Sequence, residues 1–173
     1  GFDCQTQSHL TRAHTGYLPG ELRLYEKRTG DEIVSMIAGL RGESSPPHHA
    51  RELATALDVD LSLRLGTLSK GNRQKIGLLL AMMPQPDVLL LAGPPSGTAP
   101  LMQQVVWDLL RAEADRGVTV FFSSHVMSEV EEICERVAML REGQLIAVEP
   151  IGELKGRATR QLEITLAIPV PAE

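Results

Sequence analysis

Apolar positions recur along this chain at two different spacings, and the change from one to the other divides it. Between Thr29 and Gly42, Ile33, Ile37 and Leu40 fall at helical spacing. Thr29 with Glu32 three positions later fits a capping box, in which each side chain satisfies the other residue's free backbone N–H. A helix is therefore expected from Thr29 up to Gly42. The stretch from Ser44 to His49, with Pro46-Pro47, is expected to be a linker, followed by a second helix around Leu53 and Leu57 that ends near Asp58. A third should run from Ser69 through Arg73, Ile76, Leu79 and Leu80 to Pro84, whose ring cannot continue it.

Beyond Pro84 the spacing changes. Val88 to Leu91 is unbroken apolar sequence, as expected of a strand buried on both faces. Leu101 to Arg116 predicts a helix, Val118 to Phe122 a second buried strand, Met127 to Cys134 a helix and Val137 to Leu140 a third strand. A short strand is also expected within Ala13 to Leu18, stopped by Pro19-Gly20. Strands alternating with helices predict an α/β fold with a parallel sheet and right-handed crossovers. In the tail, Glu142-Gly143 predicts a hairpin turn into Gln144 to Val148, then a short helix around Glu153 and a last strand near Leu162 to Leu166.

A chain of 173 residues can bury one good core and is too short for two ordinary domains. Its net charge of -5 gives no field for a nucleic-acid backbone, and an aromatic content of 3% supplies few stacking platforms. Nucleic acid is therefore not an expected partner. Cys4 and Cys134 match no metal spacing, which fits a reduced compartment, and Cys134 reads as a small buried apolar residue. No metal site is expected from His48 and His49, because neighbouring helical positions do not face one ion. The acidic run Glu129, Glu131, Glu132 and Glu135 reads as a solvated helix face. The longest apolar stretches, Ile76 to Met83 and Val88 to Ala92, fall short of the roughly 18 residues of a spanning helix.

The chemistry concentrates in Leu68-Ser69-Lys70-Gly71-Asn72, ahead of Arg73-Gln74-Lys75. A serine and a glycine opening a helix present a hydroxyl and free N–H groups, and Gly71 lets backbone approach an anion closely. The same residues also fit a plain N-capped helix with solvated Lys70, Arg73 and Lys75. Local physics leaves both open.

The order of segments adds a resemblance. Leu-Ser-Lys-Gly-Asn, a helix, an apolar strand, Pro94-Pro95-Ser96-Gly97, then a helix and a strand ending in Ser123-Ser124-His125 resembles the nucleotide-binding domain of ATP-binding cassette transporters, of the drug- or antibiotic-export type, over nearly the whole chain. The resemblance implies a P-loop NTPase (RecA-like) core with a helical signature lobe, here N-terminally truncated. It implies a core remnant over 1–20, the helical lobe over 21–83, the α/β core over 84–149 and a C-terminal extension over 150–173. Ser69, Lys70, Gly71 and Asn72 would be the signature, with Ser69 and Gly71 touching the γ-phosphate of ATP held by the opposite subunit. Lys70 and Asn72 depart from the commonest wording, Leu-Ser-Gly-Gly-Gln. His125 would be the switch histidine. ATP and Mg²⁺ are the implied cofactors. A second nucleotide-binding subunit and a transmembrane permease are the implied partners, on the cytoplasmic face of the membrane.

The family pattern Asp-Glu-Pro-Thr-Ser-Gly-Leu-Asp-Pro is here Ala92-Gly93-Pro94-Pro95-Ser96-Gly97-Thr98-Ala99-Pro100. The magnesium-shell aspartate, the water-polarising glutamate and the linking aspartate are thus replaced by Ala92, Gly93 and Ala99, each reachable by a single base substitution. Gly20 stands where most relatives carry a glutamine that contacts magnesium. The pattern Gly-x-x-x-x-Gly-Lys-Ser/Thr occurs nowhere in the 173 residues. Three expectations follow: a subunit inactive on its own, a non-catalytic module that completes the ATP site of an intact partner, or the product of a broken gene.

Overall fold

The computed structural model describes residues 1–43, 47–93 and 100–157. Pro46 of the linker, Pro94 to Ala99 and the strand expected near Leu162 to Leu166 lie outside the described residues. The chain forms two compact units, Gly1–His125 and a second that begins at Val126.

The first unit opens with α1 (Ser8–Ala13), which sequence periodicity does not predict, and β1 (Thr15–Leu18). The Arg41 guanidinium ties this corner down, donating to the carbonyls of Ala13 at 3.0 Å and Thr15 at 3.1 Å. Next come α2 (Gly30–Leu40), α3 (His48–Ala56), α4 (Lys70–Met82), β2 (Val88–Ala92), α5 (Pro100–Asp115) and β3 (Thr119–Ser123). The Thr29 hydroxyl accepts from the Glu32 N–H at 3.2 Å and the Glu32 carboxylate from the Thr29 N–H at 2.9 Å, so the capping box forms in full. Helices α2 and α3 pack on α4, and Ile33, Val34 and Ala38 of α2 and Leu53 of α3 are buried.

Three parallel strands form a sheet in the order β1-β2-β3. In register, Leu18, Leu91 and Phe122 lie in one row, and Tyr17, Leu90 and Phe121 in the next, on the opposite face. The first row is covered. A side chain at Gly16 would run into the carbonyl of Ala81 on α4, one at Gly77 would meet Leu18, and the Trp107 ring of α5 lies 6.1 Å from that of Phe122. The second row is not: Tyr17 is 60%, Leu90 37% and Phe121 61% exposed. The expectation that these strands are buried on both faces is thus corrected, because α4 and α5 both lie on the Leu18–Leu91–Phe122 face. With Leu89 and Leu91 fully enclosed there, Leu89→Ala would cost about 2–5 kcal/mol.

The second unit contains α6 (Met127–Ile133), β4 (Arg136–Arg141), β5 (Gln144–Pro150) and α7 (Ile151–Arg157). Among the described residues β4 pairs only with β5, antiparallel, rather than as a third parallel strand. The reason is local. Glu142 and Gly143 both take positive φ, 51° and 76°, the conformation of a two-residue turn whose twist matches an antiparallel hairpin.

Candidate functional site

Two short lengths of backbone deliver the chain to Ser69. The Asp31 N–H donates to the Leu61 carbonyl, the Leu65 N–H to that of Arg28 and the Gly66 N–H to that of Glu26, each at 2.9 Å. Gly66 lets the two lengths lie close, since a Cβ there would stand 3.0 Å from the Glu26 carbonyl oxygen. The buried Leu65 anchors this strap, and Arg73 of α4 lies 3.9 Å from the Glu26 carboxylate.

At its end the chain turns into α4. Ser69 is the N-cap, with extended backbone, and its hydroxyl accepts from the Asn72 N–H at 3.2 Å. Its carbonyl accepts from the Arg73 N–H at 3.0 Å. The N–H groups of Lys70 and Gly71 have no acceptor among the described residues. A capped helix start with two open donors and the positive end of the helix dipole is suited to an anion. Ser69 and Lys70 are exposed to solvent, and Gly71 and Asn72 are half-buried.

Gly20 and His125 follow the carboxyl ends of β1 and β3, and Ala92-Gly93 closes β2, at the edge where open parallel sheets bind ligands. His125 is exposed and has no hydrogen bond among the described residues. Gly20, Ala92 and Gly93 offer no side-chain ligand atom to a magnesium ion. A Cβ at Gly20 would come 2.9 Å from the Ala92 carbonyl oxygen, so backbone crowds the place that a side chain there would take. Ala92 carries no ligand atom, and Gly93 takes φ +99°, a conformation that side chains other than glycine's rarely adopt. No group of three His, Cys, Asp or Glu among the described residues is placed to hold a metal.

Outside this edge the chemistry is quiet. His48 and His49 share one carboxylate, Glu52, at 3.2 and 3.3 Å. Burial pushes the Cys134 thiol above its ordinary value, which keeps it from acting as a thiolate. Sequence spacing did not single out the Gly20–Ala92 contact or the enclosure of Lys75.

No protein-family model matches the chain. It is 32% identical over 152 residues to an uncharacterized ABC transporter ATP-binding protein of Synechocystis sp., a match covering 84% of this chain and 43% of that protein. It is 31% identical over 162 residues to the probable multidrug ABC transporter ATP-binding protein YbhF of Escherichia coli, covering 91% and 28%. Its fold matches a solved ATP-binding subunit of an ABC transporter with a TM-score of 0.83 at 21% identity, over 91% of this chain and 67% of that one. The chain thus spans less than half the length of these two sequence relatives.

Proposed function

The chain belongs with the ATP-binding domains of ATP-binding cassette transporters, and from that premise we propose that it is a non-hydrolysing subunit that lends its α4 N-terminus to ATP held by an intact partner. One contrast carries the proposal. The Ser69 end of α4 is capped and keeps two open N–H donors, whereas positions 20, 92 and 93 hold no ligand for the metal and are built around backbone.

In this role Ser69 fixes the helix start, the Lys70 and Gly71 N–H groups face the terminal phosphate, and the helix dipole favours the charge that develops there. His125 belongs to the chain's own edge and takes no part in the partner's turnover. The 173 residues contain no lysine in a phosphate loop, so they hold ATP weakly or not at all alone. The helical lobe, residues 21–83, would dock on a permease at the cytoplasmic face of the membrane. Met36 and Leu40, one turn apart on α2 and 38% and 77% exposed, suit such a contact. The name of the Escherichia coli relative, a probable multidrug ABC transporter ATP-binding protein, supports a transporter of the multidrug kind, which we take to be an exporter.

The test uses an intact nucleotide-binding subunit whose own signature serine is replaced by arginine, so that its homodimer is inactive. Adding this chain should restore phosphate release at one site of the pair. No stimulation of any partner ATPase would leave a chain without function.

A further inference from the structure

The last carbonyls of a helix have no partner within it, and those that end α1 are supplied from elsewhere. The His14 N–H reaches the carbonyls of Leu10 and Thr11. The Arg41 guanidinium, at the end of α2, donates to those of Arg12 at 3.4 Å and Ala13 at 3.0 Å. It donates also to the Thr15 carbonyl at 3.1 Å. The Val88 N–H donates to the His14 carbonyl, so β1 bonds β2 through alternate residues and the Thr15 carbonyl faces away from β2. One side chain therefore caps α1 and the outer side of β1 together.

Helix α2 is held differently at its two ends. Its start is fixed by backbone: the capping box, and the Gly30 and Asp31 N–H groups on the carbonyls of Leu63 and Leu61. At its other end, Arg41 makes the only hydrogen bonds that join α2 to α1 or β1 among the described residues. Arg41 is half-buried, and the residue before it, Leu40, is 77% exposed. A long side chain on backbone carbonyls is a fastening that water can replace bond for bond.

We infer that Arg41 is a latch: α2 pivots on its capped start, and this one guanidinium fastens its outer end, with Leu40, to the start of β1. The inference builds on the proposed docking role of Met36 and Leu40 and supplies the link by which a partner pressing there would act on the sheet. Helix α4 does not depend on the latch, since its own close contacts at Gly16 and Gly77 seat it on β1.

Native-state hydrogen exchange of the chain tests this, because a latched element opens ahead of the unit that carries it. In the parent chain the amides of Val34 to Leu40 should exchange faster than those of Ile76 to Met82. Arg41→Met should speed the α2 amides about tenfold, the loss of a charge-assisted set of bonds, and leave the α4 amides within about twofold. Arg41→Lys keeps the charge without the forked donors, so it should speed the same amides and serves if Arg41→Met does not fold. Equal protection of α2 and α4 in the parent overturns the inference. So does an equal rise in both helices, which marks Arg41 as part of the general stability, or no change in α2. These readouts come from the chain alone, so they leave the docking role standing whichever way they fall.

Discussion

Gly20 and Ala92 meet backbone to backbone at the carboxyl edge of the sheet, where a Cβ on Gly20 would stand 2.9 Å from the Ala92 carbonyl oxygen. One step along, Gly93 turns the chain at φ +99°. Glycine is therefore matched to the structure at both positions: at 20 by the nearness of the residue 92 backbone, and at 93 by the positive φ of the turn.

Side chains introduced at these two positions should consequently destabilise the fold. Gly20→Gln must push back the Ala92 carbonyl, a cost of about 1–3 kcal/mol. Gly93→Glu has open space for its Cβ but an unfavourable φ, costing about 1–2 kcal/mol. Urea unfolding measures both. Stability equal to the parent chain in both variants would mean that the edge rearranges freely.

The capping box of α2 makes a pH prediction. The Thr29 backbone N–H, with Arg28 beside it, holds the Glu32 carboxyl below the ordinary carboxylate range. A group whose pKa is lowered on folding stabilises the fold above its unfolded value, about 4.3, and the contribution fades as pH falls through the folded value. Glu32→Gln should therefore narrow the stability difference between pH 7 and pH 3. Thr29→Ala should cost about 1 kcal/mol at pH 7 by removing the cap. Thermal unfolding at the two pH values checks both, and an unaltered pH profile in Glu32→Gln would contradict the assignment.

The exposed row Tyr17, Leu90 and Phe121 is a third test. Phe121→Thr replaces a ring that is 61% exposed by a residue that suits a strand, so stability should change by less than about 1 kcal/mol. Binding of the dye ANS should fall. Marked unfolding by Phe121→Thr would mean that this face is covered.

Much of the architecture was legible because it is encoded locally. Thr29 and Glu32 specify a cap by themselves, Pro84 ends α4 by what its ring forbids, and Glu142-Gly143 sets the hairpin. Burial was not legible in the same way. Val88 to Leu91 is apolar at every position, so its sequence cannot tell one covered face from two; that was decided by α4 and α5 lying on the same side. The start of β4 offered no sign that, among the described residues, it would pair with β5 and not with the parallel strands, since apolar runs fit either pairing. At the candidate site, Ser69 to Asn72 was readable as a helix start. The contact of Gly20 with Ala92 was not, because it joins residues 72 positions apart through backbone alone.

The central claim is that this chain acts only through the start of α4 on a nucleotide held elsewhere, and the most direct measurement is phosphate release from the mixed pair at equal partner concentration. Ser69→Arg should abolish partner-dependent release by placing a bulky side chain in the phosphate path, while His125→Ala should leave it within about twofold of the parent, since no contact with the partner's phosphate is assigned to it. Loss of release with His125→Ala but not with Ser69→Arg would contradict the account.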